Sequence, residues 1–260
     1  MATTPGTTTR WPTDVRTLAI DVGGTGLKGS ILDAQGVMVA DRVRIDTPYP
    51  CPPPVLTENL VNIGKQAGEF HRVSVGFPGL VRKGKVVQVP AFSREVYGGP
   101  AVPELVEQWH GYDLAGALAR AFQVPVKVAN DADVQGCAVA QGNGFEFVMT
   151  LGTGVGTAIF LDGKLLPHME LSHAPFKDGL SFDVALGNAN RVKLGKKAWR
   201  KEVREAIQAF DDFIYFDHIY IGGGNAKKLK EEDLPDNATV VPNTAGILGG
   251  IRIWDLDIDE

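Results

Sequence analysis

The feature that most constrains the fold is a pair of glycine-rich phrases, one in each half of the chain. The first reads Asp21-Val-Gly-Gly-Thr-Gly-Leu-Lys-Gly-Ser-Ile-Leu-Asp33, and the second reads Leu151-Gly-Thr-Gly-Val-Gly-Thr-Ala-Ile-Phe-Leu-Asp162. A glycine turn brings backbone N–H groups close to a ligand without side-chain obstruction, which suits phosphate oxygens. Two such turns, about half a chain apart, predict a duplicated α/β scaffold that binds a phosphate chain from both sides.

Both phrases run into apolar stretches that read as strands, Ser30-Ile-Leu and Thr157-Ala-Ile-Phe-Leu. A dinucleotide-binding fold needs a helix directly after its glycines, and a P-loop needs Gly-Lys-Ser/Thr, which neither phrase contains. The pattern therefore favours two strand–turn–strand phosphate clamps, with a pair of ordinary hairpin turns as the alternative.

Composition indicates a globular protein of two domains, because 260 residues with 44% hydrophobic content can bury a sizeable core. The net charge of −5 argues against a general nucleic-acid binder. No segment is apolar for long enough to span a membrane. Cys51 and Cys137 stand far apart, so they indicate neither a disulfide framework nor a metal motif and fit a reducing cytoplasm.

The order of apolar patterns predicts two α/β domains with mixed sheets around a central cleft. We expect residues 1–16 to be a disordered tail, 17–129 the first domain and 130–260 the second, with the last helix packing back on the first domain. Helices are predicted over 55–66, 114–122, 134–141, 198–216 and 245–253. Strands are predicted over 15–20, 30–33, 37–44, 72–76, 84–89, 124–129, 145–151, 157–161, 218–221 and 239–241, with a hairpin turn at Asp162-Gly163.

Several polar side chains beside the glycine phrases suit phosphate and metal binding. Asp21 ends a buried strand at the first turn, where a carboxylate can organise Mg²⁺ directly or through water. Thr25 and Thr153 offer hydroxyl groups to phosphate oxygens. Lys28 either neutralises phosphate charge or is an ordinary surface lysine.

The pair Asn130-Asp131 follows the predicted strand 124–129. Phosphoryl transfer to an alcohol needs a carboxylate that accepts the hydroxyl proton, and Asp131 is the candidate. An Asx pair after a strand can instead cap a helix, a role that Asp133 suits better. From the spacing alone, both interpretations of Asp131 stand.

Six motifs in one order carry a family resemblance. They are Asp21-Val-Gly-Gly-Thr-Gly, Gly76-Phe-Pro-Gly79, Asn130-Asp-Ala132, Leu151-Gly-Thr-Gly-Val-Gly156, Glu170-Leu-Ser-His173 and Gly222-Gly-Gly224. The series resembles the ROK family of sugar kinases, and within it the bacterial polyphosphate/ATP glucokinases. The resemblance implies an actin-like ATPase (ribonuclease H-like) fold and covers the chain from about residue 17 onward.

What the resemblance implies is a cytoplasmic, dimeric phosphotransferase that uses polyphosphate or ATP, with Mg²⁺, to phosphorylate a hexose such as glucose at O6. Asp131 would be the general base, and Asp21 would organise the metal. Sugar contacts would come from Gly79, Asn130, Glu170 and His173, and nucleotide contacts from Gly222, Gly223 and Gly224. The phosphate-binding set comprises Gly23, Gly24, Thr25, Gly26, Lys28, Gly152, Thr153, Gly154 and Gly156. No nucleic-acid or membrane partner is expected.

The chain departs from the family pattern on the sugar side. No cysteine lies beyond Cys137, so the family's cysteine-rich zinc loop is missing and no zinc is expected. Pro90-Ala-Phe-Ser93 lacks the usual sugar-contacting asparagine, and Ala-Pro-Phe follows His173 in place of a second glutamate. A catalytically idle or differently specific sugar- or phosphate-binding protein is therefore the alternative. A repressor of the same family would need an N-terminal helix-turn-helix, and only about 17 residues precede Leu18.

Two further patterns are open. Residues 191–204 contain seven cations and one acid, and Lys193, Lys197, Arg200 and Arg204 would share one face of a continuous helix. This is either a solvated helix face or a track for a long polyanion such as polyphosphate. The histidines suggest only packing or surface positions, and His168 and His173 lack the spacing of a helical zinc pair.

Overall fold

The computed structural model describes residues 11–242 and 245–255, and it contains two five-stranded mixed sheets. The first sheet has the order β3-β2-β1-β4-β7, and a two-stranded hairpin, β5-β6, stands beside it. Their bounds are β1 Thr17–Val22, β2 Leu27–Leu32, β3 Val43–Ile45, β4 Arg72–Phe77, β5 Leu80–Arg82, β6 Lys85–Gln88 and β7 Val126–Asn130.

The second sheet has the order β10-β9-β8-β13-β14, and β11 and β12 form another small hairpin. Their bounds are β8 Phe145–Leu151, β9 Val155–Leu161, β10 Lys164–Leu165, β11 Pro175–Lys177, β12 Leu180–Ser181, β13 His218–Gly222 and β14 Ala238–Val240. In both sheets a glycine turn joins two antiparallel strands, β1 to β2 and β8 to β9, and the first strand of each pair also has a parallel neighbour. The duplicated scaffold and the strand–turn–strand setting of both turns are confirmed.

Helices cover both sheets. Their bounds are α1 Pro53–Ala67, α2 Pro103–Trp109, α3 Leu114–Phe122, α4 Asp131–Val139, α5 Phe182–Leu186, α6 Asn188–Leu194, α7 Lys196–Ile214 and α8 Ala245–Arg252. Short 3-10 turns span Leu171–His173, Ala226–Lys228 and Glu231–Asp233. Among the described residues, no helix is both long and apolar enough to cross a bilayer.

Each sheet has its own apolar core. In the first, Leu56, Leu60 and Ile63 of α1 are fully buried against strands of the sheet, as their helical spacing predicts. In the second, Trp199 and Phe210 of α7 pack with aromatic and aliphatic strand residues. Burying one such side chain stabilises the fold by about 1.5–3 kcal/mol, so these faces hold the helices in place.

The C-terminal helix α8 connects α4 with the first sheet. The Ser74 hydroxyl of β4 donates to the carbonyl of Gly250, and the indole Nε1 of Trp254 donates to Ser74 Oγ at 2.8 Å. The last helix thus lies against the first sheet, while the domain boundary at residues 129 and 130 stays a prediction.

The N-terminal segment differs from the expected tail. Residues 1–10 lie outside the described residues, but within residues 11–16 the side chains of Trp11 and Val15 are packed against the protein. Val15 is buried, and the Trp11 ring meets the Trp254 ring edge-on at 5.3 Å while the Arg72 guanidinium stacks on it at 5.1 Å. Disorder up to residue 16 is therefore wrong for residues 11–16, because Trp11 and Val15 bury apolar surface that the polar composition of the segment obscured.

The segment 191–204 is also not one helix. Gly195 has a φ of +78° and separates α6 from α7, so Lys193 does not share a helical face with Lys197, Arg200 and Arg204. The predicted strand 37–44 is likewise reduced to β3 and an isolated bridge between Leu32 and Met38. Helices α2, α5 and α6 are too short for their periodicity to be recognised in the sequence.

Candidate active site

A cleft of about 720 Å³ collects most of the predicted site residues from both sheets. The predicted residues that line it are Gly23, Gly24, Thr25, Gly79, Asn130, Asp131, Gly152, Thr153, Gly154, Gly156, Glu170, His173, Gly223 and Gly224. Gly26 and Gly222 are not among the lining residues. Asp21 and Lys28 line a smaller cavity of about 140 Å³, which also contains Asp131. The structure therefore brings the candidate base, both glycine turns and the candidate sugar ligands to one place.

The first glycine turn is closed by its own backbone and braced by the connector that follows β3. The N–H of Gly23 donates to the carbonyl of Gly26 at 3.0 Å. The Thr47 hydroxyl donates to the Gly23 carbonyl at 2.7 Å, and the Tyr49 hydroxyl donates to the Gly24 carbonyl at 2.9 Å. Burial raises the pKa of the Tyr49 phenol to about 12, so it remains a donor at neutral pH.

The second glycine turn is braced by two side chains and one backbone N–H group from three later segments. The N–H of Gly152 donates to the Gly154 carbonyl at 2.9 Å, which closes the turn. Asp183 Oδ1 accepts from the N–H of Val155 at 2.7 Å, and Asn225 Nδ2 donates to the Gly152 carbonyl at 3.0 Å. The N–H of Asn188 at the start of α6 donates to the Thr153 carbonyl at 3.0 Å.

The triple-glycine turn after β13 packs directly on the second glycine turn. Gly223 has a φ of +85°, and a Cβ on it would overlap the backbone of Leu151. A Cβ on Gly224, in contrast, would meet no atom within 4 Å. Gly223 is thus required by packing, whereas Gly224 leaves open space beside the cleft, where a donor group can approach.

Asn130 ends β7 and caps α4. Its Oδ1 accepts from the N–H of Ala132 at 2.7 Å, and its Nδ2 donates to the Gly79 carbonyl at 3.1 Å. The proposal that Asp133 is the better cap is wrong, because the helix starts at Asp131, earlier than its apolar pattern suggests. One amide hydrogen of Asn130 remains for a sugar hydroxyl, since an asparagine side chain has two.

Asp131 is the first residue of α4 and lines both cavities. Burial, reinforced by the negative charge of Asp21, raises its pKa to about 7, although the Ala132 N–H and the positive charge of His168 act in the opposite direction. A carboxyl group with a pKa near the working pH suits proton transfer from an alcohol. The electrostatics of the site thus agree with the predicted base.

Asp133 and His168 form a buried pair that the sequence analysis missed. His168 Nδ1 lies 2.9 Å from Asp133 Oδ1, and the two side chains are 3% and 5% exposed. His168 Nε2 lies 3.6 Å from Glu170 Oε1, and His173 Nε2 lies 3.9 Å from Glu170 Oε2. Glu170 is therefore held between a buried imidazole and an exposed one. Asp133 lies on α4, 35 positions before His168 in the chain, so no local spacing indicated this pair.

The charge states in this group follow from its contacts. Burial lowers the pKa of His168, but the hydrogen bond to Asp133 and the nearby carboxylate of Glu170 outweigh it and raise the pKa to about 9. Attraction to the neighbouring His168 lowers the pKa of Glu170 more than burial raises it. His168 is then a cation and Glu170 a carboxylate at neutral pH.

Other groups occupy the places where the sugar-side motif departs from the family. Pro90, Ala91, Arg94 and Tyr97 line the cleft, and the Arg94 Nε donates to the Pro90 carbonyl at 2.8 Å. The buried hydroxyl of Ser172, which replaces a family glycine, has no hydrogen-bond partner among the described residues. Arg94 and Tyr97 escaped the sequence analysis because no motif marks them.

Asp21 and Lys28 form an ion pair at 3.0 Å with half-exposed side chains. The described residues contain no group of three or more His, Cys, Asp or Glu side chains arranged to hold a metal. Mg²⁺ is commonly bound by one or two carboxylates together with substrate phosphates and waters, so Asp21 beside the first glycine turn fits such a site. The expectation about zinc stays a prediction.

The arginines of the basic segment 191–204 contact two different groups. Arg200 and Arg204 of α7 turn toward Asp233, with N–O distances of 3.3 and 3.8 Å. Arg191 of α6 instead donates to Asn188 Oδ1 at 2.7 and 3.2 Å, beside the second glycine turn. A single basic face from Lys193 to Arg204 is thus wrong, because Gly195 redirects the chain and Asp233 pairs with two of the arginines.

Matching glycine turns on two mixed sheets, facing one cleft, define the actin-like ATPase fold in the form that sugar kinases have. The sequence model of the ROK family matches residues 17–173. The chain belongs to the ROK family.

Relatives and solved structures agree with this assignment. The polyphosphate glucokinase of Mycobacterium tuberculosis (strain CDC 1551 / Oshkosh) is 30% identical over 95% of this chain and 92% of its own length. The polyphosphate glucokinase of Mycobacterium leprae is 28% identical over 98% of this chain and 78% of its own length. The crystal structure of the inorganic polyphosphate/ATP-glucomannokinase from Arthrobacter sp. strain KM superposes with a TM-score of 0.75 at 27% identity, covering 93% of this chain and 98% of that one.

Proposed function

We propose that this protein is a kinase that transfers a phosphoryl group from polyphosphate or ATP to a hexose, with glucose at O6 as the first candidate. The observation that carries the proposal is Asp131, a carboxyl group with a pKa of about 7 in a cleft lined by two glycine turns. The names of the relatives support the reaction class, because the match extends over 95% of this chain and 92% of the M. tuberculosis protein.

Each group of residues lining the cleft has its own role in the proposed reaction. Asp131 accepts the proton of the attacking hydroxyl group, while the backbone of Gly23–Gly26 and Gly152–Gly156 and the hydroxyls of Thr25 and Thr153 bind phosphate oxygens. Asn130, Glu170, His173 and the Gly79 segment orient the sugar. Exclusion of water from the cleft protects the donor from hydrolysis. Asp21 would hold Mg²⁺ directly or through water, and the ion would supply positive charge against the phosphate oxygens.

The second part of the proposal concerns where a polyphosphate donor binds. Lys227 and Lys228 lie in the 3-10 turn Ala226–Lys228, directly after the triple-glycine turn. Desolvation and the positive charges of Arg191, Lys196 and Lys227 lower the pKa of Lys228, so these four cations act on one another. Arg191 and Asn225 both donate to Asn188 Oδ1, so this group adjoins the second glycine turn. We propose that this cation group, and not the paired Arg200 and Arg204, attracts a long polyphosphate chain.

Arg191→Gln tests that assignment. We expect it to raise the KM for long-chain polyphosphate several-fold and to weaken its salt dependence, with a smaller effect on the KM for ATP. Arg204→Gln is the matched control, because Arg204 is paired with Asp233. Equal effects of the two substitutions would contradict the assignment.

The function itself is tested with purified protein, Mg²⁺, and a panel of hexoses and N-acetylhexosamines against ATP and polyphosphate. Formation of a hexose 6-phosphate supports the proposal. The second candidate, an idle or differently specific sugar-binding protein, is favoured by the missing sugar-side asparagine and glutamate, and it predicts binding without transfer or transfer to another sugar. A homodimer in the cytoplasm, without nucleic-acid or membrane partners, completes the proposal, and light scattering measures the oligomeric state.

A further inference from the structure

We propose that His168 is a positioning residue for the acceptor sugar, linking the buried carboxylate of Asp133 to the sugar-binding carboxylate of Glu170. The inference rests on the proposed function, in which Glu170 accepts a hydrogen bond from a sugar hydroxyl. It adds a residue that lies outside every motif of the sequence. It also gives Asp133 a role in place of the helix cap that the sequence suggested, which belongs to Asn130.

The geometry describes a chain of three side chains that leads from the interior to the cleft. Asp133 and His168 are almost fully buried and lie 2.9 Å apart through Nδ1. The other imidazole nitrogen, Nε2, lies 3.6 Å from Glu170 Oε1, and both residues line the cleft. A carboxylate that fixes one nitrogen of an imidazole determines where the other nitrogen points, and here the other nitrogen points toward Glu170.

The buried nitrogen Nε2 of His168 has no hydrogen-bond partner within the described residues. A buried polar atom without a partner is costly, and such an atom in a cleft calls for an explanation, such as a partner gained when a ligand binds. Catalytic hydrogen bonds are often long without substrate and tighten when it binds. We infer that the 3.6 Å contact shortens to a charge-assisted hydrogen bond once a sugar hydroxyl fixes Glu170.

Charged groups on neighbouring elements complete the arrangement. The Arg82 guanidinium of the β5-β6 hairpin donates to the carbonyl of His168 and partly offsets the charge of Asp133. On the other side, His173 lies 3.9 Å from Glu170. The positive charge of His168 also acts on the candidate base and lowers the pKa of Asp131. His168 therefore affects both the orientation of Glu170 and the protonation of Asp131, and these two effects can be measured separately.

Two substitutions separate the contacts of His168. In His168→Asn the amide nitrogen takes the position of Nδ1, so the bond to Asp133 is kept and the contact with Glu170 is lost. In His168→Gln the amide nitrogen takes the position of Nε2, so the contact with Glu170 is kept and the bond to Asp133 is lost. Both remove the positive charge. His110→Asn is the control, because His110 is exposed and does not line the cleft.

We expect His168→Asn to raise the KM for the sugar on the order of tenfold, as the loss of one hydrogen bond to a charged group does, with the donor KM unchanged. His168→Gln should raise the sugar KM less, by about threefold, because the contact with Glu170 is kept but Asp133 no longer fixes its direction. Both should move the acidic limb of the kcat/KM profile to higher pH, because Asp131 loses the cation that lowers its pKa. A residue needed only for folding would lower stability without moving either quantity.

Glu170→Gln provides a second route if His168→Asn does not fold. It leaves the Asp133–His168 pair intact, and it should reproduce the higher sugar KM. A sugar KM that is unchanged in both His168→Asn and Glu170→Gln overturns the inference while an active wild-type enzyme upholds the proposed function. If the wild type phosphorylates no sugar, calorimetric titration with glucose and mannose decides: weaker binding by His168→Asn than by wild type supports the inference, and equal binding or no binding overturns it.

Discussion

The two sides of the cleft are built from different chemical groups, backbone on one side and ionisable side chains on the other. The donor side consists of glycine turns whose shapes are fixed by bonds to their own carbonyls, from Thr47 and Tyr49 on one turn and from Asn188 and Asn225 on the other. The acceptor side consists of ionisable side chains whose charges depend on one another. Donor binding should therefore depend on backbone space and be nearly independent of pH. Activity on the acceptor side should depend on the protonation of its side chains.

The largest expected effect is on the acceptor side, at Asp131. Asp131→Asn removes the base, which typically contributes roughly 10²- to 10⁴-fold to the rate, so kcat should fall by that factor with the sugar KM little changed. In the wild type, activity should fall as the pH drops below about 7, because the base becomes protonated. Steady-state kinetics between pH 5.5 and 9, values chosen to span roughly that pKa, measure both effects.

The control for Asp131→Asn is Asp162→Asn, at an exposed hairpin turn away from the cleft. Stability offers a second check of the raised pKa. Folded Asp131 keeps its proton up to about pH 7, whereas the unfolded group loses it near 3.8, so the folded state binds more protons in that window and stability falls as pH rises through it. Asp131→Asn should therefore unfold at a higher temperature than wild type above pH 7. In the kinetic experiment, activity of Asp131→Asn above a tenth of the wild-type value would contradict the assignment of Asp131 as the base.

On the donor side, the expected loss depends on space for one methyl group. Gly223→Ala needs a positive φ and places Cβ against the backbone of Leu151, so we expect a destabilisation of at least about 2 kcal/mol together with a weaker second turn. Gly224→Ala is the neighbouring control, since its Cβ enters open space and should change stability by less than about 0.5 kcal/mol. Urea unfolding measures the loss of stability, and the donor KM measures the weakening of the second glycine turn. Equal midpoints for the two variants would show that backbone space does not limit this side.

The smallest effect is expected at Lys28, where the sequence left a phosphate role and a surface role open. Its pair with Asp21 is half-exposed, and such pairs contribute about 0–1 kcal/mol, so Lys28→Met should change stability by no more than that. Because Lys28 lies outside the main cleft lining, the donor KM should change by less than about threefold. Lys65→Met on the exposed side of α1 is the control. A tenfold rise in donor KM would instead assign Lys28 to phosphate binding.

The sequence predicted the donor side in detail because its signals are local. A glycine cluster between two apolar strands indicates the turn, the strands and their pairing within a dozen residues, and β8 follows the predicted bounds. The basic segment was harder, since Gly195 reads as an ordinary helix-adjacent residue until its φ of +78° separates α6 from α7. The partner that removes Arg200 and Arg204 from the supposed track, Asp233, lies in a 3-10 turn with no pattern of its own.

By itself the sequence determined the duplicated scaffold and the two glycine turns, because each is written in contiguous residues, and the family resemblance selected Asp131 as the candidate base. Only the tertiary structure decided that Asn130 caps α4, that Asp131 is partly buried near Asp21, and that His168 lies between Asp133 and Glu170. The physical reason is that desolvation and charge pairing depend on which surfaces meet, and residues 35 positions apart meet only after the sheets have formed.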